Sequence, residues 1–109
     1  MEEQPCIGRI TIAPEVLEIT ARLTTLAIPG VVRLISPPGM SRLLRHDGVK
    51  IEVVDNKVRV KLYVVTKPDV NMLSVGRHIQ SEVTRAIQDM VGMEVECVDV
   101  YIEDVASAE

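Results

Sequence analysis

At 109 residues the chain is sized for one domain, and a net charge of −4 with a pI near 5.2 excludes strong general attraction to phosphate polyanions or acidic lipid. Hydrophobic residues make up 47%, but there is no Trp or Phe and the only tyrosines are Tyr63 and Tyr101, so the core must be aliphatic. Cys6 and Cys97 lie far apart in no CxxC pattern, which points to neither a disulfide framework nor a metal knuckle, and no apolar run approaches the ~20 residues that span a bilayer.

Residues 1–6 read as a tail, 7–105 as one α+β domain and 106–109 as a second tail. In GRITIA, Ile10 and Ile12 alternate with Arg9 and Thr11, which predicts a short strand. Pro14 follows at the first turn of a helix, where its missing N–H costs nothing. Along that helix Val16, Ile19, Leu23, Leu26 and Ala27 share one side, and Glu15, Glu18, Arg22 and Thr25 share the other, so the first set is expected to face the core. Pro29-Gly30 ends it.

VVRLIS, 31–36, predicts a second strand, and the Pro- and Gly-rich stretch after it predicts a loop with a turn of helix over 41–45. That loop carries Arg42, Arg45 and His46 as a basic cluster and a candidate contact. IEVVDNKVRVKLYVV, 51–65, predicts a hairpin turning at Asp55-Asn56, two residues that tolerate positive φ. On its return arm Val58, Val60, Leu62 and Val64 point one way, and Arg59, Lys61, Tyr63 and Val65 the other.

Asn71 is the expected N-cap of the longest helix, whose apolar template runs Met72, Val75, Ile79, Val83, Ala86, Ile87, Met90, with Gly92 placed for a left-handed C-cap. In the closing strand Val95 and Cys97 are in one phase and Val98, Val100 and Ile102 in the other. This requires either a β-bulge near Cys97 and Val98, the preferred reading, or cover on both sheet faces. The order β-α-β-β-β-α-β predicts a two-layer sandwich, two helices on one face of a mainly antiparallel sheet of four to five strands, with strand order left open.

No nucleophile elbow, phosphate loop or dinucleotide fingerprint occurs, and the expectation is a protein that is not an enzyme and carries no cofactor or metal. His46 and His78 read as solvated or boundary residues. Cys97 reads as a small core residue, and Glu94, Glu96, Glu103 and Asp104 as solvated edge charge. The face with Arg59, Lys61, Tyr63 and Val65, joined by Tyr101, is the candidate binding surface. Aromatics bordered by cations suit single-stranded RNA, but the acidic charge balance favours a protein partner.

Four stretches together resemble the bacterial alkaline-shock protein family, also called the general-stress or envelope stress response family. They are G-R-I-T-I-A-P-E-V at 8–16, P-G-V-V at 29–32, G-V-K-I-E-V at 48–53 and I-Q-S-E-V-x-R-A-I-x-D-M-V-G-M-x-V-x-x-V-D-V at 79–100. Gly92, Val95, Val98, Asp99 and Val100 fit its pattern, Asp99 standing where Asn is commoner. The resemblance implies a nonenzymatic, cytoplasmic, self-associating interaction protein of envelope or alkaline-stress homeostasis. It also implies a protein partner, such as a membrane-anchored envelope protein, rather than insertion into the bilayer.

Overall fold

A computed structural model describes residues 6–36 and 48–106 of the chain. The elements are α1 (Pro14–Leu26), β1 (Val31–Leu34), β2 (Val49–Val54), β3 (Lys57–Thr66), α2 (Met72–Ala86) with a π-helical last turn Ile87–Val91, and β4 (Glu94–Val105). The expected helical turn over 41–45, the contact residues Arg42, Arg45 and His46, and most of both expected tails lie outside the described residues.

β3 organises the sheet. Its first six residues pair antiparallel with β2, Val54 facing Lys57 through Val49 facing Leu62, and its last residues pair antiparallel with β1. β4 runs parallel to β3 over its whole length and so must take the opposite edge, leaving β1 and β2 end to end on the other. At the β2–β3 corner Asp55 and Asn56 both have positive φ, 52° and 66°, the two-residue turn their short polar side chains predict. The handover from β2 to β1 falls at Tyr63, whose N–H donates to the Gly48 carbonyl and whose carbonyl accepts from the Ile35 N–H, both at 2.9 Å.

The helices cover one face only. Val58, Val60, Leu62 and Val64 join Val49 and Val98 beneath Leu17 and Ala21 of α1 and Val75, Ile79, Val83 and Ile87 of α2 in one aliphatic core. Asn71 caps α2 as expected, its side chain accepting from the Ser74 N–H at 3.0 Å. Met90 leaves the predicted stripe: the Gly92 N–H reaches back five residues to the Ile87 carbonyl, and this wider turn swings Met90 to 76% exposure while Val91 packs against the core. Gly76, in mid-helix, has open space where a Cβ would stand. Gly76→Ala should therefore stabilise the fold by about 0.5–1 kcal/mol, seen as a higher melting temperature, and a lower one would show that the position needs glycine.

Three expectations are corrected. Residues 6–13 form no strand, and Ile7 and Ile10 are each 92% exposed, so the sheet has four strands among the described residues. α1 is turned roughly half a revolution from the expected face, burying Leu17, Ala21 and Thr25 and leaving Val16, Ile19, Leu23 and Leu26 outward. Small residues win because they let the helix lie close to the sheet, and the Thr25 hydroxyl is satisfied by donating to the Ala21 carbonyl at 2.7 Å. The third correction is Cys97. β4 does bulge, but the register shifts between Val95 and Cys97, one position before the expected place. Glu96 is the extra residue, so Val95 joins Val98, Val100 and Ile102 on the helix side, and Cys97 turns to the open side instead of the core.

Candidate interaction surface

The sheet face turned away from the helices is ordered in rows by the strand register. Across β2, β3 and β4 the first row is Glu52, Arg59 and Cys97, and the second is Lys50, Lys61 and Asp99. The third holds Tyr63 and Tyr101, with glycine at position 48 beside them, and the fourth, across β1, β3 and β4, is Arg33, Val65 and Asp104. The structure thus brings Arg59, Lys61, Tyr63 and Tyr101 onto one surface.

Tyr63 and Tyr101 stack with ring centroids 4.8 Å apart and planes 13° from parallel. Tyr101 is 39% exposed and Tyr63 half-buried, so the pair forms a flat, amphipathic plate at the surface. Arg59 reaches the Glu96 carboxylate at 3.5 Å, both side chains about half exposed. Its contact with Cys97, followed by the Glu96 and Glu52 carboxylates, holds the guanidinium above its ordinary value. Lys50, Glu52, Arg59, Lys61 and Asp99 line a shallow charged dimple of about 50 Å³ beside the plate. Lys50 and Lys61 face each other directly, a like-charge pairing that costs stability unless an anion is near; Asp99 sits across the strand from Lys61.

Val65 lies in the fourth row of this face but is not accessible on it. It has the expected phase but is fully buried, and contact falls to its neighbours. The sequence reading missed Lys50, Glu52, Cys97 and Asp99. The phase of β2 already placed Lys50 and Glu52 opposite Val49 and Ile51, so they could have been found from the hairpin register; Cys97 could not, because its facing depends on the bulge.

A wider cleft of about 440 Å³ opens on the helix side between the end of α1 and the last turns of α2, lined by Thr24, Ile28, His78, Glu82, Arg85 and Asp89 among others. Its charges are spent along the helix surface, Arg85 pairing with Glu82 at 3.9 Å and Asp89 at 3.8 Å, and His78 is exposed. Among the described residues no three of His, Cys, Asp and Glu converge on a metal-sized site, and no helix is long and apolar enough to cross a membrane.

Two helices over one face of a four-stranded sheet, with an ordered polar-aromatic reverse face, define a small two-layer α+β domain with a one-sided sheet. The profile of the alkaline shock protein family, described as having a cell envelope-related function, matches residues 2–107, and the chain belongs to that family. It is 27% identical over 105 residues to Spy1535 of Streptococcus pyogenes, covering 93% of this chain and 81% of that protein. It is 22% identical over 106 residues to YloU of Bacillus subtilis, covering 90% and 88%. Among solved structures the fold is similar to the MamM CTD in a copper form, with a TM-score of 0.64 at 13% identity over 88% of this chain and 90% of that one. At that identity the likeness is one of fold alone.

Proposed function

We propose that the chain is a non-enzymatic, cytoplasmic interaction module of cell-envelope or alkaline-stress homeostasis, acting by self-association and by docking a protein partner on its open sheet face. The observation that carries this reading is the stacked Tyr63–Tyr101 plate, set among cations and acids on the one sheet face that the helices leave uncovered. Tyrosine and arginine at the middle of a flat surface are the residues on which protein contacts concentrate their energy. The family's envelope-related description supports a partner at the envelope, such as a membrane-anchored protein.

The alternative, a single-stranded RNA module, uses the same residues. Against it stand Glu52, Glu96 and Asp99 interleaved with the cations, which repel phosphate, and the two rings already stacked on each other rather than splayed to receive bases.

The test uses the full chain immobilised against a bacterial envelope fraction. Wild type should retain a defined membrane protein, and a Tyr63→Ala/Tyr101→Ala variant should retain it at least about tenfold less well, the usual effect of removing two central aromatics. Equal retention by both would sink the sheet-face reading. Oligonucleotide binding by fluorescence anisotropy that is lost in the same variant would move the function to RNA.

A further inference from the structure

β4 is an edge strand of twelve residues whose outer side pairs with no strand among the described residues. The Gln80 side chain crosses from α2 and donates to the Val98 carbonyl at 3.1 Å, which marks that side and satisfies one of its acceptors. Val100 and Ile102 repeat the phase of Val98, so their backbone N–H and C=O groups point outward while their side chains turn to the helix side. Between those side chains and one flank of α2 runs a groove of about 210 Å³, walled by Met72, Leu73, Gly76, Arg77 and Gln80. Leu73 is 70% exposed and Met72 37%, and the space over Gly76 is open. A strand edge beside a helix, with an apolar floor between them, is the geometry that takes an extended segment as an added strand. Ladder bonds hold its backbone, and alternate side chains enter the groove.

We propose that the occupant is the arm before α1 of a second copy, residues 9–13, laid along the outer edge of β4 with Ile10 and Ile12 in the groove. The arm is a strand without an edge. Its R-I-T-I-A sequence alternates, Ala13 is already extended at φ −66° and ψ 144°, and in its own copy the segment joins no strand. Gly8, with φ of 92°, turns the chain just before it. Ile10 is 92% exposed, with Ile7 the most exposed large hydrophobic among the described residues, and the groove takes it out of water. Charge selects this occupant over a second β4. That strand carries Glu94, Glu96, Asp99, Glu103 and Asp104, so pairing two copies of it edge to edge would set acid near acid. Glu94 and Glu96 are held by Lys57 at 3.9 Å and Arg59 at 3.5 Å, whereas Asp99 and Glu103 make no ion pair among the described residues. The arm supplies the complement. No acid occurs from residue 4 to residue 14, and with Ile10 and Ile12 turned to the groove, Arg9 emerges on the open face, where Asp99 stands.

This inference rests on the self-association in the proposed function and gives it a surface, so the test must separate the two. In sedimentation equilibrium from micromolar to millimolar concentration the full chain should associate. Ile10→Glu and Leu73→Glu should each raise the dissociation constant at least about tenfold, the first spoiling the arm and the second the groove. Both side chains are exposed in the single copy, so circular dichroism melts at low concentration should be unchanged. An equimolar mixture of the two variants should associate more strongly than either alone, because an intact arm then meets an intact groove; a contact between two like patches would show no such rescue. Arg9→Glu should raise the constant about fivefold, as expected of an exposed charge reversed beside acids. A wild type that stays monomeric at every concentration removes the arm contact and self-association together. Association that survives Ile10→Glu and Leu73→Glu removes the arm contact alone, and so does a mixture no stronger than its parts. A monomeric wild type whose retention of an envelope protein is lost in Leu73→Glu would assign the groove to that partner and overturn the proposal.

Discussion

Ile79→Ala should cost about 2–5 kcal/mol of stability, read from the midpoint of urea unfolding at unchanged slope. Ile79 is fully buried, one helical turn from Val75 and from Val83, and all three press on the aliphatic face that β3 and β4 present to α2. Removing three carbons there forfeits the transfer energy of the side chain and leaves a hole that β-branched neighbours are too stiff to fill. Ile19→Ala removes the same atoms from α1 at 42% exposure, and in the monomer should cost under about 1 kcal/mol. Comparable losses at the two positions would mean that α1 docks by the face its periodicity suggests, not the one the structure shows.

That contrast marks where the sequence was legible. β3 alternates from Lys57 to Val64, its turn residues are conformationally specialised, and Asn71 stands three residues before the N–H it caps; each of these signals has one physical solution, and the structure adopts it. α1 has two. Val16, Ile19, Leu23 and Leu26 form the more hydrophobic side, but Leu17, Ala21, Thr25 and Ile28 form the thinner one, and close approach to a sheet rewards thinness. Hydrophobicity ranks faces by how much they gain from burial, whereas packing also asks which face lets the backbones come near. The strand expected over GRITIA failed for a different reason. Alternation shows that a segment can pair, not that it does: among the described residues β1, β2 and β4 pair only with β3, and residues 6–13 join none of their outer edges.

The open face was legible as far as β3 itself and no further. Arg59, Lys61 and Tyr63 follow from its phase, and Tyr101 arrives beside Tyr63 only because Glu96 bulges out of β4 and resets the register. Without that extra residue the strand would put Val95 on the solvent side. The bulge therefore completes the core and assembles the tyrosine plate by the same local insertion, which ties the stability of the domain to the geometry of its candidate surface.

Gly48→Ala should be the most damaging single-methyl change among the described residues, and it tests that tie directly. Gly48 has φ of 81°, and a Cβ there would stand 2.8 Å from the Ile35 nitrogen, 2.8 Å from the Leu34 Cβ and 3.0 Å from the Tyr63 carbonyl oxygen. The left-handed conformation alone costs an alanine about 1–2 kcal/mol, and crowding a tightly packed site adds about 1–3 kcal/mol. Two of the three obstructing atoms are backbone, so no side-chain rotation relieves them. The strand junction must open, and with it the paired hydrogen bonds by which Gly48 and Ile35 hold the backbone of Tyr63. The expected result is a loss of about 2–5 kcal/mol in urea unfolding, together with weakened partner retention even where the variant remains folded, because Tyr63 can no longer hold its ring against Tyr101. Gly76→Ala, the same substitution in open space, should move stability the other way and leave retention alone. A Gly48→Ala protein as stable as wild type would mean that β1 and β2 do not meet on β3 as described, and the plate would lose the support on which the proposed docking face depends.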